Sequence, residues 1–168
     1  MALPTAPARP DEGVIAGYAS VFHARDLAGD TVLPGAFAAT LRRRGPGGIR
    51  MLYQHDPGQP IGAWTRVVED RRGLWAEGRL TLEVERAREV ADLIRAGALD
   101  GLSIGFRARA ADTRHRAGAR RLAAIDLWEI SIVTFPLLDG ARVTAIDAMP
   151  LQPPVAGAIR RAARTVHP

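Results

Sequence analysis

The sequence predicts a mostly β domain with flanking helices (α+β), in which a closed or strongly curved sheet carries its helices on the outside. Three observations support this fold class. Strand-like runs recur along the chain, one segment has clear helical periodicity, and 168 residues are enough for one domain with a substantial core. We expect that domain at residues 13–148, after a loose Pro/Ala-rich leader at 1–12 and before a Pro-rich basic tail at 149–168.

The amino-terminal half is predicted to form a strand, a short helix and a second strand. Val14–Phe22 is a strand-like apolar run, and a polar loop follows it. Pro34–Leu41 is predicted to be a short helix closed by three arginines and Gly45, because helices favour proline near their start and glycine past their end. Ile49–His55 alternates as a strand does. One face of that strand carries Ile49, Met51, Tyr53 and His55.

The remainder predicts a hairpin, a helix and two further strands. The strand candidates Ile61–Glu69 and Leu74–Leu82 are joined by a turn segment, Asp70–Gly73. Glu83–Ala98 has apolar residues at helical spacing and charges on its opposite face, so it is the clearest helix. The last two strands are Gly101–Ala110 and Leu122–Phe135, on either side of an Arg-rich turn at 112–121.

Composition narrows the classes of function. There is no cysteine, which excludes a disulfide scaffold, a thiol nucleophile and cysteine-ligated zinc. No signal peptide, membrane span, metal-ligand spacing or glycine-rich nucleotide motif is visible, so we expect a cytoplasmic protein without a membrane partner, metal or cofactor. The net charge is +5, yet no basic stripe with interleaved aromatics indicates specific nucleic-acid binding. An arginine-only set of basic residues is typical of a GC-rich genome.

The most informative segment is Gly101–Phe106 (GLSIGF), which places the hydroxyl of Ser103 between two glycines in an apolar strand. Those glycines would let a substrate approach closely, although a strand serine kept small for packing is the alternative. Alternation puts Ser103 on a face with Gly105, Arg107 and Arg109. The segment also matches the nucleophile elbow of α/β-hydrolases. That fold requires an acid and then a histidine later in the chain, where only His115 and His167 occur in polar segments, so it is rejected.

His55 is the candidate general base. It ends the alternating strand and precedes Asp56-Pro57-Gly58, where an imidazole can reach both a serine and solvent. A surface or turn histidine without a catalytic role is the alternative. His23 is the rival base, in a less constrained loop.

Glu129 is the candidate acid. Alternation places it on a strand face with Leu127, Ser131, Val133 and Phe135. An ionised carboxylate among apolar neighbours costs several kcal/mol unless it is paired or hydrogen-bonded. A histidine that donates to Glu129 would offset this cost and would be oriented in return. An ion pair with one of the arginines is the alternative.

Together these residues belong to a set of ordered motifs that resembles the prohead, or capsid-maturation, serine proteases of tailed bacteriophages and gene transfer agents. The resemblance covers roughly residues 13–146 and departs from the family pattern at Leu137–Gly140. Its motifs are Gly17–Phe22 (GYASVF), Gly29–Phe37 (GDTVLPGAF), Gln54–Asp56 (QHD), Pro60–Gly62 (PIG), Gly101–Phe106 (GLSIGF) and Leu127–Pro136 (LWEISIVTFP).

The resemblance implies a fold and a site. The fold would be a closed seven-stranded β-barrel surrounded by helices, similar to herpesvirus assemblins. Ser103 would be the nucleophile, His55 the general base and Glu129 the third member, with no cofactor. This is the set of groups needed for an acyl-enzyme mechanism.

The resemblance also implies a setting. The enzyme would act in the bacterial host cytoplasm, inside the assembling procapsid, on the scaffolding segment of the major capsid protein and on itself. The portal and a second copy of the chain are further candidate partners. A catalytically silent scaffold or packaging factor with the same fold is the alternative, and a nucleic-acid-binding β-barrel is a third hypothesis.

Overall fold

Strands make up most of the described chain. The computed structural model describes residues 12–112 and 120–148, and it confirms the mostly β class with flanking helices. No helix in this described part is long and apolar enough to cross a bilayer. In chain order the elements are β1 (Val14–Val21), β2 (Asp30–Val32), α1 (Ala38–Arg44), a 3-10 turn (Pro46–Gly48), β3 (Arg50–Tyr53), β4 (Asp56–Glu69), β5 (Gly73–Leu80), α2 (Glu85–Arg95), β6 (Gly101–Asp112), β7 (Arg120–Val133) and β8 (Val143–Ile146).

All eight strands form one sheet, and β7 pairs with three of the others, β2, β3 and β6. The strand order is β2-β7-β3-β4-β5-β1-β8, and β6 pairs with β7 along the other edge of that strand. On the edge of β7 opposite β6, β2 pairs in parallel with the start of β7 and β3 pairs in parallel with its end. Between them, Ile125 donates its N–H to the carbonyl of Ala36, and Thr40 of α1 accepts from the N–H of Leu127 and donates to the carbonyl of Ile125. Ala36 and α1 therefore provide hydrogen-bond partners for the stretch of β7 that lies between its pairings with β2 and β3.

The expected closed seven-stranded barrel is wrong, because the eight-stranded sheet curls into a half-barrel. Strand β8 has four residues, and its ladder is formed with β1. Within the described residues the start of β6 meets the segment that leads into β8 at a single bridge, between Gly101 and Arg142. Hydrogen bonds from Leu102 to Ala141 at 2.9 Å and from Val143 to Asp100 at 2.7 Å flank this bridge. One bridge does not make a ladder, so the seam between β6 and β8 stays open beyond it.

The core lies between the inner face of the sheet and the helices. Helix α2 contributes Ala87, Val90, Ala91 and Ile94, the apolar stripe expected from its periodicity. Large, fully buried side chains from the strands and from the segment before α1 complete the core, and each stabilises the fold by about 1.5–3 kcal/mol. Among these side chains are Phe37, Ile49, Met51, Ile61, Leu74, Leu122 and Ile125.

Three local differences from the predicted elements matter for the site. Strands β2 and β8 are short and were not predicted. The strand expected to end at His55 ends at Tyr53, and β4 begins already at Asp56. His55 therefore lies in a two-residue turn rather than on a strand face. The proposed tail, His115 and His167, and all of the proposed leader except Glu12, fall outside the described residues.

Candidate active site

A β-bulge at Trp128 decides where Glu129 points. Gly105 pairs with Glu129, whereas the next residue of β6, Phe106, pairs with Leu127, so Trp128 is an extra residue in β7. A bulge reverses the alternation of side chains between the two faces of a strand. Leu127 therefore packs in the core, while Glu129 lies on the opposite face, which we call the outer face. The expectation that Leu127 and Glu129 share a face is wrong for this reason.

Gly105 provides the space for the Glu129 carboxylate. A Cβ atom at position 105 would lie 1.9 Å from Oε1 and 2.6 Å from Cδ of Glu129, far inside contact distance. Any side chain there would displace the carboxylate. Gly105, the second glycine of the GLSIGF segment, is thus required because the Glu129 side chain of β7 lies directly against its Cα.

The Glu129 carboxylate is buried and has two polar partners. Its Oε1 lies 2.6 Å from Nδ1 of His55, and its Oε2 accepts a hydrogen bond of 2.6 Å from the hydroxyl of Ser131. No arginine pairs with it in the described part of the chain, in contrast to the ion-pair alternative. The arrangement fixes the imidazole: with the Nδ1 proton donated to the carboxylate, Nε2 is the nitrogen that can accept a proton.

His55 is held in an unusual backbone conformation. Gln54 and His55 have φ values of 54° and 60°, as in a type I′ turn, in a position where non-glycine residues pay about 1–2 kcal/mol each. Hydrogen bonds to β7 hold the turn. The N–H of Gln54 donates to the carbonyl of Ile132 at 3.0 Å, and the side-chain amide of Gln54 donates to the Thr134 hydroxyl at 2.7 Å. The N–H of His55 donates to the Ser131 hydroxyl at 3.1 Å.

The hydrogen bond to Glu129 raises the pKa of His55 above its ordinary value of 6.5. Partial burial of the ring opposes this effect, and the negative charge of Glu129 adds to it. A carboxylate that favours the imidazolium makes the neutral imidazole a better proton acceptor.

Ser103 lies on the same outer face, one strand away. It is 5% exposed and pairs directly with Ser131 across the β6–β7 ladder. Directly paired residues have Cβ atoms about 4.5–5.5 Å apart, so the two hydroxyls are neighbours. Within the described residues the Ser103 hydroxyl forms no hydrogen bond. The structure thus joins His55 to Glu129 directly and brings Ser103 alongside, but shows no bond between Ser103 and His55. Such nucleophile–base bonds often tighten only when substrate binds.

Sequence reasoning assigned no role to Ser131 and did not single out Asp126. Ser131 is fully buried and contacts both His55 and Glu129. The alternation of β7 had already placed it beside Glu129, which was the available signal. The rival base, His23, lies in the exposed turn after β1, and its backbone N–H donates to the carbonyl of Val32.

Asp126 forms a second polar centre on the outer face of β7. Its buried carboxylate pairs with Arg109 at 2.8 Å, with Arg44 at 3.2 Å and with Arg43. These contacts, Arg109 first, together with a hydrogen bond from Trp128, hold the pKa of Asp126 well below its usual range despite the opposing effect of burial. This carboxylate is therefore permanently charged near neutral pH.

A small cavity lies beside β6. Its volume is about 30 Å³, and its lining includes Leu102, Ser103, Ile104 and Phe106 of β6 together with Ser20 of β1. It has room for about one or two water molecules and for no peptide side chain. Ser103 therefore borders a space that holds water but is too small for a peptide side chain.

A hydroxyl, an imidazole and a buried carboxylate gathered on one sheet face are the parts of a serine-hydrolase site. Residues 4–151 match the family model of the caudovirus prohead serine proteases, and the chain belongs to that family. This confirms the resemblance inferred from the sequence motifs.

Individual relatives agree with this assignment. The prohead protease of Enterobacteria phage HK97 is 33% identical over 140 residues, which cover 82% of this chain and 62% of that protein. The capsid polyprotein of Pseudomonas phage PAJU2 is 29% identical over 107 residues, covering 60% of this chain and 16% of the polyprotein. The chain thus spans less than two thirds of either relative.

The fold is similar to that of the KSHV protease, solved in complex with a hexapeptide phosphonate inhibitor. The TM-score is 0.50 at 13% identity, over 77% of this chain and 63% of the viral protease. This likeness concerns the fold alone and agrees with the expected similarity to herpesvirus assemblins.

Proposed function

We propose that this chain is a serine endopeptidase of capsid maturation, with Ser103 as nucleophile, His55 as general base and Glu129 as the residue that orients His55. The observation that carries the proposal is the 2.6 Å contact between the His55 ring and the buried Glu129, beside Ser103, in a chain of the prohead protease family. Burial of a carboxylate is costly unless it is paired or hydrogen-bonded, and one of the two partners that offset the cost for Glu129 is the imidazole that it would orient.

The proposed reaction proceeds through an acyl-enzyme. Oγ of Ser103 attacks the carbonyl carbon of the scissile peptide bond as its proton passes to Nε2 of His55. The tetrahedral intermediate collapses when His55 returns that proton to the leaving amine. Water then attacks the acyl group with His55 again as base, which releases the new carboxyl terminus and restores Ser103.

Glu129 contributes without taking the proton. Its Oε1 keeps the Nδ1 proton in place, so that Nε2 is the basic nitrogen, and its charge stabilises the imidazolium that forms during attack. The raised pKa of His55 has this same origin.

The substrate we propose is the scaffolding segment of the major capsid protein, cut inside the assembling procapsid in the bacterial host cytoplasm. Two relatives support this: one is named a prohead protease and the other a capsid polyprotein, in which related sequence is part of a capsid-protein chain. The chain itself, the portal and a second copy of the chain are further candidate partners.

Co-expression with the major capsid protein encoded beside this chain tests the proposal. Intact mass spectrometry should show a trimmed capsid protein with the wild type and a full-length one with Ser103→Ala, a loss of at least about 10⁴-fold in rate. Thr65→Val is the control, since Thr65 is an exposed residue of β4 whose hydroxyl donates to the carbonyl of Glu77 at 3.2 Å. A full-length capsid protein with the wild type, in shells that still assemble, would favour the silent scaffold instead.

A further inference from the structure

Ser131 stands out because one buried hydroxyl joins two parts of the proposed site. Ser131 is 0% exposed and lies in β7, where it pairs with Ser103 of β6 on one side and with Leu52 of β3 on the other. Its neighbours along β7, Ile130 and Ile132, are core residues. A position so fully buried would ordinarily hold an apolar side chain or a small alanine.

The Ser131 hydroxyl both donates and accepts a hydrogen bond. Its O–H donates to Oε2 of Glu129 at 2.6 Å, and its oxygen accepts the backbone N–H of His55 at 3.1 Å. Without the hydroxyl, a buried carboxylate oxygen and the partly buried His55 N–H would each lose a partner.

The two bonds act on different degrees of freedom. The bond to Oε2 sets the rotation of the carboxylate and leaves Oε1 facing Nδ1 of His55. The bond from the His55 N–H holds a residue whose φ of 60° is unfavourable for an L-amino acid, and so places the ring above the sheet. The Gln54 contacts hold the preceding residue of the same turn.

We propose that Ser131 is a positioning residue of the site: its hydroxyl aligns the Glu129 carboxylate and the His55 turn so that the imidazole is held for proton transfer. Its importance for catalysis rests on the proposed protease function. The effect of Ser131 on His55 does not depend on that function, and separate experiments measure the two effects.

The first measurement does not depend on activity. The His55 ring is titrated by NMR in the Ser103→Ala background, with and without Ser131→Ala; the charge that faces the ring is that of Glu129. Loss of alignment should lower the pKa of His55 by roughly one unit and mix the ring tautomers. An unchanged or higher pKa, with a single tautomer retained, would overturn the proposal.

The second measurement follows the labelling rate of Ser103 by a fluorophosphonate probe. Ser131→Ala should slow labelling at least tenfold, and Ser131→Cys should retain an intermediate rate because a thiol is a weaker donor of similar size. Thr65→Val, which removes an exposed hydroxyl of β4, should match the wild type. If Ser131→Ala does not fold, the cysteine variant supplies both readouts. Equal labelling of all variants would refute a positioning role, whereas no labelling of the wild type would count against the protease function and leave the NMR test standing.

Discussion

Two carboxylates on the outer face of β7, Asp126 and Glu129, are three residues apart and differ in every partner. The Asp126 side chain is 5% exposed and that of Glu129 12%. Asp126 is surrounded by Arg43, Arg44 and Arg109, which carry fixed charges. Glu129 contacts a hydroxyl and an imidazole, which carries no charge until it is protonated.

The difference separates a structural carboxylate from one suited to catalysis. Three guanidinium groups pair with Asp126 and so connect α1 and β6 to β7. Their charge does not change near neutral pH. The partner of Glu129 can gain and lose a proton in that range. Burial alone therefore does not distinguish the two carboxylates, whereas the titratable partner of Glu129 does.

Neutralising each carboxylate in turn is the strongest test of the difference between Glu129 and Asp126. Glu129→Gln should slow the fluorophosphonate labelling of Ser103 by roughly 10²–10⁴-fold, because an amide cannot hold the tautomer or stabilise the imidazolium. Circular dichroism should show an intact fold. Labelling at the wild-type rate would remove Glu129 from the site.

Displacing the Glu129 carboxylate without changing its charge should have a somewhat smaller effect. Gly105→Ala brings a methyl group within 1.9 Å of Oε1, so the side chain must move and the contact with His55 is lost. We expect labelling to slow by roughly 10–10³-fold. Gly47→Ala is the matched control, since nothing lies within 4 Å of a Cβ there, and it should label normally. A Gly105→Ala variant that labels as fast as Gly47→Ala would contradict the geometry.

The pH dependence should separate the two carboxylates by sign. Labelling should fall about tenfold per pH unit below the raised pKa of His55, which lies above 6.5, because the base must be neutral. The stabilising contribution of protonated His55 is fully present below 6.5 and is lost as pH rises through the raised pKa.

Asp126 contributes in the opposite sense: its stabilisation is present above pH 3.8 and is lost as pH falls through its lowered pKa. Thermal melting of Ser103→Ala against pH measures both effects. Adding Glu129→Gln should remove the change near neutral pH, and adding Asp126→Asn should leave it. Any other pattern would show that the two centres are coupled.

The smallest effect on activity is expected for Asp126→Asn. Three arginines would lose their counter-charge, so the melting temperature should fall, while labelling stays within about threefold of the wild type. A large loss of labelling in a protein that remains folded would assign Asp126 to the site as well.

The sequence was sufficient to select the candidate residues, because their settings are chemically unusual. A hydroxyl between glycines marked Ser103, and a carboxylate in an apolar strand marked Glu129. Their catalytic roles stay predictions. His55 was selected although its strand was predicted two residues too long. A type I′ turn usually holds Asn-Gly or Asp-Gly, and the pair Gln54-His55 is neither, so the residue types concealed the turn.

The remaining features depend on pairing between distant strands. Alternation cannot foresee the extra residue Trp128, because only the register against β6 reveals a bulge. Closure of the barrel likewise depends on whether β8 is long enough to form a ladder with β6. The residue types of β8 do not predict that length. The Asp126 cluster needed α1 to reach β7 before its arginines could be recognised as partners.

The parallel pairing of β3 with β7 has a consequence for when the protein becomes active. His55 and Glu129 are 74 positions apart, and their contact depends on the strand that is synthesised late and paired on both edges. Non-local parallel pairing forms slowly during folding. A growing chain thus carries the serine and the histidine before their carboxylate exists, and the proposed hydrolysis cannot begin until the whole sheet has assembled. The order of assembly thus leaves Ser103 and His55 without their proposed acid until β3 has paired with β7.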